Sequence, residues 1–551
     1  MQYLLVFSGS LIFVILFTPS LINILRYLKI VDQPGGRKKH TEPVPRGGGV
    51  LIFIPLILSL IIFCKNEPCI GALITASLLI LLCGVWDDIK GIRWFVKYLL
   101  HSLAALVFIY YFYPTFNTIS FFGFFLPYPF DIIILYFFIT GVINALNMLD
   151  GLDGLVSGSA LLIFMLVFML AFISGNYLLM IISAGVTGSL IGFLKFNAFP
   201  ARIFLGDTGS LIIGFFLAVA SLILSDNMGR VELDLGFSII LLGLPVLDTL
   251  KVIMLRLYRK KSPFLPDRSH LHHKIQDNNI HHKTAVFLIQ LFTVAFIFIA
   301  VYYVYYNRFI AAALFGYMSL AIILFNPLYR YFIQLKQRAL LIIPIIYSRR
   351  FSAELLRKFL LPGSSLIIMF IVLFNFPSEM TVHPEIIGMM IAVCLLLLTA
   401  AVLSFKRYRG FNDMYVFLNV SIFFVLSGSG KPYMEYFEVA QIDSVLLVDI
   451  AAAAILFFVG IFILFREKIF GNKVSLFSGL DLSMMVLVVF LISLQELVNI
   501  PAFEFIGFNL VTAFIIYMWY KIVMLMVPAV SRRIYVIAFI LPVAMLLNIA
   551  F

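Results

Sequence analysis

Residues 131–155 read DIIILYFFITGVINALNMLDGLDGL, an apolar run that ends in a dense set of amides, carboxylates and glycines. The apolar part, 131–149, is long enough to cross about 30 Å of hydrocarbon as a helix. Runs of this kind, roughly 17 to 25 residues each, recur from end to end of the chain. Of the 551 residues, 63% are hydrophobic, 16% aromatic and only 12% charged, which excludes a soluble domain with a wetted surface. Alternating hydrophobicity is absent, which excludes a β-barrel. Helices satisfy the backbone in lipid, so the expected fold is all-α, a polytopic transmembrane helical bundle.

Outward from 131–149, the pattern predicts helices near 3–25, 47–63, 70–85, 98–114, 155–174, 177–194, 211–225, 235–255, 285–305 and 309–326. Further helices are expected near 359–376, 386–404, 412–428, 443–465, 480–500, 505–528 and 534–551, about 18 spans in all. The short run Ala339–Ile346, interrupted by Pro344, is expected at the interface. In a soluble protein a net charge of +12 would suit nucleic acid; here its distribution reports topology, and no nucleic-acid partner is expected. The first helix has no charge before it and is followed by Arg26, Lys29, Arg37, Lys38, Lys39 and Arg46. The N-terminus is therefore expected outside, with that loop and loops 86–97, 150–154, 195–210 and 256–284 in the cytoplasm. Met1–Thr18 lacks the basic n-region and cleavage site of a signal peptide, so it reads as a retained helix. Cys83 and Cys394 read as core thiols; Cys64 and Cys69 flank an outward turn where an oxidising compartment would allow a bridge.

Every polar motif falls at that cytoplasmic face. The adjacent Asp87 and Asp88 resist ionising together unless a cation or basic groups lie near. Magnesium suits them, being a hard ion that takes one or two carboxylates and leaves positions for phosphate oxygens; a solvated helix cap is the plainer alternative. Lys97 reads as a second phosphate contact or a positive-inside anchor. Asn144 and Asn147 are three apart, on one helical face, at a depth where amides need partners. Asp150 and Asp153 repeat the spacing, with Gly151 and Gly154 letting the backbone turn closely around a ligand. Asp207, in FLGDTGS, opens a helix whose start favours an anion, with its carboxylate able to face a metal and Asp207 or Thr208 able to cap the helix. Arg268, His270, His272 and His273 suit phosphate or nucleobase contact better than zinc, since no Cys accompanies them and the setting is basic. The first loop, VDQPGGRKKHTEPVPRGGG over 31–49, mixes Pro, Gly and His with its charges, more than the positive-inside rule asks.

With these five motifs in this order, the chain resembles the polyprenyl-phosphate N-acetylhexosamine-1-phosphate transferase family of integral membrane enzymes. The resemblance covers about Val31 to Lys274 and runs on to about Phe325. PVPRGGG and PDRSHLHHK are similar to the bacterial branch that makes lipid-linked N-acetylglucosamine; the branch that transfers phospho-muramoyl-pentapeptide ranks second.

The resemblance implies transfer of a sugar-1-phosphate from a UDP-HexNAc to undecaprenyl phosphate, with release of UMP, at the cytoplasmic face of the bacterial inner membrane. It implies magnesium, with manganese as a substitute, held by Asp207, Asn147 and Asp87. Asp88 would lie near the metal and the acceptor phosphate, Lys97 would hold phosphate, and Asp150 and Asp153 would shape or polarise the site. Arg268, His270, His272 and His273 would grip the nucleotide, with Asn144, Arg37, Lys38, His40 and Arg46 also contacting substrate. Asp248 matches the family pattern without a determined role, and a homodimer is compatible. Residues 1–326 would form the transferase domain, and 327–551 a multi-spanning module with no interpretable motif. A transporter is the rival of another class, but no motif repeats after Lys274 and the acids gather at one face rather than at the midplane.

Overall fold

The computed structural model describes residues 2–33, 43–116, 118–226, 233–260, 262, 270–278 and 280–324, together with 377–380, 430–432, 517 and 521. The chain divides into two units, Met1–Phe332 with Phe477–Ser483 and Ile333–Leu476 with Met484–Phe551. In the second, strands Pro377–Met380 and Gly430–Pro432 pair antiparallel. The helices expected at 359–376 and beyond lie outside the described residues.

The first unit is helical: α1 (Gln2–Tyr27), α2 (Gly49–Phe63), α3 (Ile70–Lys90), α4 (Trp94–Phe112), α5 (Phe130–Leu149), α6 (Leu155–Ile173) and α7 (Tyr177–Asn197) are followed by α8 (Gly206–Asp226), α9 (Leu235–Leu241), α10 (Gly243–Tyr258), α11 (Leu271–Asp277), α12 (His282–Tyr305) and α13 (Arg308–Ile323). Among the described residues, eight helices are long and apolar enough to cross a membrane, and α9 with α10 meets the same measure only as a pair, a broken span or a re-entrant loop. Strand fragments β1 (Val31–Asp32) and β2 (Val44–Pro45) pair antiparallel and bring the two ends of the first long loop together. At the other end of the bundle, Ile119–Phe121 pairs with Phe124–Phe125 and with Leu233–Asp234.

Helix α8 is the axis. Its apolar stretch is buried throughout, packed by α2, α3, α5 and α6. Glycines permit the closest approaches: a Cβ on Gly49 would meet Gly209 Cα at 2.2 Å, and one on Gly84 would meet Thr208 Cα at 2.4 Å. Helices α2 and α3 therefore each touch α8 backbone to backbone.

Four boundaries differ from the sequence expectation. Helix α3 runs on to Lys90, so Asp87 and Asp88 belong to its last turns rather than to a loop; Gly91, at φ +66°, ends it, its N–H donating to Asp87 O at 2.8 Å. Helix α4 begins at Trp94 and so includes Lys97. Helix α8 begins at Gly206, one residue before Asp207. The span expected at 235–255 breaks by 86° between α9 and α10. Pro245 has no N–H to continue the ladder from α9 and is tolerated in the first turn of α10.

Candidate active site

Asp87, Lys97, Asn147 and Asp207 come together at one end of α3, α4, α5 and α8. The Lys97 ammonium donates to Asp87 Oδ2 at 2.8 Å and, more tightly, to Asp207 Oδ2. With the Asn147 amide turned to satisfy both its ends, its oxygen accepts from Lys97 at 2.8 Å and its nitrogen donates to Ser210 Oγ (2.9 Å) and Asp207 Oδ1 (3.0 Å). Two carboxylates and an amide oxygen thus converge on one cationic point. Asp87 Oδ1 is held by the Ile92 N–H at 2.7 Å, which aims Oδ2 inward.

Asp88 faces elsewhere. It is buried, and accepts from the backbone N–H groups of Asp207 and Thr208, each at 3.0 Å, and from Thr208 Oγ1 at 2.6 Å. The anion that the start of α8 attracts is thus a carboxylate from α3. Gly206, at φ +72°, makes room for it, since a Cβ there would lie 2.6 Å from Asp88 Oδ2. Asp88 therefore places α8, and with it Asp207, rather than facing the cationic point. Arg46, held by a bridge to Phe204, is near enough for its charge to act on Asp88, and its Nε is buried without a partner.

Asp150 ends α5 and Asp153 follows in the turn to α6. Asp153 Oδ2 accepts from the Ala201 N–H at 2.9 Å and so fixes the loop leading into α8. Asp150 keeps surface in contact with solvent. Loss of hydration by its carboxyl, and then the negative charges of Asp207, Asp88 and Asp153, push that carboxyl up to about 8. Asn144 is exposed too; its amide reaches only the Met148 sulfur at 3.4 Å and stays apart from Asn147's cluster.

The histidines approach from α11. His270 Nδ1 lies 2.9 Å from Asp248 Oδ2, and Asp248 Oδ1 accepts from the Leu271 N–H (2.8 Å) and Lys251 Nζ (3.0 Å). Asp248 is buried and thereby orients His270 while capping α11. His272 stacks on His270 with ring centroids 5.7 Å apart, and its Nε2 would sit 2.3 Å from a Cβ on Gly151. Burial first, then the charge of His273, holds the His272 imidazole neutral, down at about 3. The ring of His273 lies 4.2 Å from that of His272. Arg37, Lys38, His40 and Arg268 lie outside the described residues. Cys64, Cys69 and Cys83 are free thiols, so Cys64 and Cys69 are not bridged.

Sequence reasoning missed the roles of two supporting groups. Thr208, expected at most to cap α8, is the hydroxyl partner of Asp88. Asn197 accepts from Ser157 Oγ (2.9 Å) and donates to Ile203 O (3.0 Å), tying α6 and α7 to the loop before α8. Neither is readable without knowing which helices adjoin.

Among the described residues no three His, Cys, Asp or Glu side chains form a metal-holding group; the converging set is two carboxylates and an amide. Hard oxygen donors of this number suit a dication that keeps waters and accepts phosphate oxygens.

Comparison with known proteins gives the family of the chain. The family described as Glycosyl transferase family 4 matches residues 70–225, which hold Asp87, Asp88, Lys97, Asn147 and Asp207. A probable undecaprenyl-phosphate N-acetylglucosaminyl 1-phosphate transferase of Bacillus subtilis is 32% identical over 299 residues, 53% of this chain and 82% of its own length. An undecaprenyl-phosphate alpha-N-acetylglucosaminyl 1-phosphate transferase of Thermotoga maritima is 34% identical over 245 residues, 44% of this chain and 72% of its own. A phospho-N-acetylmuramoyl-pentapeptide-transferase of Buchnera aphidicola is 33% identical over 314 residues, 50% of this chain and 90% of its own.

Proposed function

Since the chain belongs to glycosyl transferase family 4, we propose that it transfers a HexNAc-1-phosphate, GlcNAc-1-phosphate foremost, from a UDP-sugar to undecaprenyl phosphate. The products are UMP and a lipid diphosphate sugar that starts a surface glycan. The observation that carries the reading is the convergence of Asp87, Asn147 and Asp207 on one cationic point, the Lys97 ammonium. We assign the reaction to the cytoplasmic leaflet of the bacterial inner membrane, the side of the basic loops, and residues 327–551 to an accessory membrane module.

A dication, magnesium by its match to three oxygen donors, would be held by Asp87, Asn147 and Asp207 and would neutralise charge between the donor diphosphate and the acceptor phosphate. The residues' own work is positioning. Lys97, whose ammonium stands among those three side chains, would turn from them to a phosphate oxygen once the dication takes its place. Asp88 keeps α8 in place so that Asp207 meets Asp87, and Asp153 fixes the loop before it. His270, oriented by Asp248, faces the donor side with His272 and His273. An acceptor-phosphate oxygen bonds to the sugar-bearing phosphorus as the bond from that phosphorus to the oxygen of UMP breaks. The acceptor monoester is mostly dianionic at neutral pH, its second pKa being about 6, so no side chain need take its proton.

The test supplies the purified chain in detergent with undecaprenyl phosphate, magnesium or manganese, and a panel of UDP-HexNAc donors that includes UDP-MurNAc-pentapeptide. Acceptor-dependent UMP release with UDP-GlcNAc is expected. Release from UDP-MurNAc-pentapeptide alone would transfer the assignment to the second branch, and no acceptor-dependent release from any donor would end it.

A further inference from the structure

The link between α3 and α4 is Gly91-Ile92-Arg93, so the two helices surface together. Around it Trp86, Ile89, Lys90, Arg93, Trp94 and Phe95 are all exposed, Trp86 by 51% and Trp94 by 58%. Trp86, Ile89 and Lys90 stand at i, i+3 and i+4, on one side of the end of α3; Trp94 and Phe95 pack edge to face at 6.1 Å. So much aromatic surface at the end of two spans fits the boundary between water and hydrocarbon, where Trp rings settle. The charge turned outward there is positive. Of the nearby acids, Asp88 is buried under α8, and Asp87 is engaged by Ile92 and Lys97, so neither offsets Lys90 and Arg93 at the surface.

We propose that the α3–α4 turn is a docking surface for anionic phospholipid headgroups, with Trp86 and Trp94 seated at the headgroup level and Lys90 and Arg93 drawing the negative charge. The same turn supplies the Ile92 N–H that aims Asp87, and Lys97 follows within the first turns of α4. Headgroup contact therefore sets the depth at which those two side chains meet the membrane surface. The turn would bind headgroups whether or not the transfer reaction runs.

The chain has three tryptophans, Trp86, Trp94 and Trp519, so W519F leaves fluorescence that reports on the turn alone. The full-length W519F chain is reconstituted in phosphatidylcholine nanodiscs with a minor fraction of brominated phosphatidylglycerol or, separately, brominated phosphatidylcholine. Brominated phosphatidylglycerol should quench several-fold more strongly, since one cation at such a surface enriches anionic lipid roughly fivefold. Adding K90Q and R93Q, both at exposed positions, should erase that preference while both lipids still quench. Should W519F fail to fold, the difference between the unaltered chain and W86F/W94F reads the same quantity. Equal quenching by the two lipids without K90Q/R93Q, a preference that survives K90Q/R93Q, or no quenching by either lipid overturns the proposal.

Discussion

Asp87 gives its oxygens to Ile92 and Lys97, whereas Asp88 gives its own to two amides and a hydroxyl of α8. Substituting each in turn separates chemistry from placement. Asp87→Asn should leave the melting temperature in detergent close to that of the parent and lower turnover by about a hundredfold or more. Asp88→Asn should lower the melting temperature as well, by an amount corresponding to about 1–3 kcal/mol, because α8 loses a charged acceptor and gains an N–H group aimed at its amides. Equal melting temperatures for the two would refute the division. The sequence pointed to both acids but not to their separate roles, since Asp88's partners lie about 120 residues away in the chain. For Asp150, a folded-state value raised from 3.8 to about 8 contributes stability that is fully present below about 4 and is lost as pH rises through 8. A dication nearby favours the carboxylate, so its binding at pH 7 should release a proton, and at pH 9 should not. Titration calorimetry in two buffers of different ionisation enthalpy reads this directly. Heats at pH 7 that do not depend on the buffer, or that depend on it equally in Asp150→Asn, would remove Asp150 from the site.

Most helices could be read from hydropathy, because a run such as 131–149 is long, apolar and sharply ended. The misplaced ends share one cause. A hydropathy reading stops at Asp87 and restarts after Lys97, but a helix can carry charged side chains once other elements answer them, as Lys97 and Thr208 do. The break after Leu241 is hidden because both pieces are apolar; Gly243 and Pro245 are its only trace. Packing between elements is testable at two glycines. Gly84→Ala drives a methyl to 2.4 Å from Thr208 Cα, a backbone atom that cannot rotate away, so it should destabilise by about 1–3 kcal/mol or more and reduce turnover. Gly141→Ala, inside α5 with nothing within 4 Å of the added methyl, should be neutral or stabilise by up to about 1 kcal/mol. Thermal melts that rank them the other way would contradict the packing of α3 on α8.

For the whole molecule, the basic loops predict an outside N-terminus, which puts the turn at Cys64 and Cys69 outside as well. Cys69 is part-exposed, while Cys64 is buried and burial pushes its thiol up to about 12, so the two should differ in reactivity. A membrane-impermeant maleimide should label Cys69 in intact cells and leave Cys64 untouched; labelling of Cys69 only in inverted vesicles would turn the molecule over. The gathering of the motifs at one face could be read from loop charge, but which side chains touch could not, since that depends on how α8 threads among its neighbours. Where α2 and α3 meet α8 at Gly49 and Gly84, the nearest atoms are backbone, and no side chain stands there that could change rotamer and let the helices slide. A bilayer thicker or thinner than the protein's natural width is then accommodated by tilt and by the far ends of the spans. Seasonal or thermal changes in acyl composition would alter the rim of this bundle long before they disturbed its reacting centre.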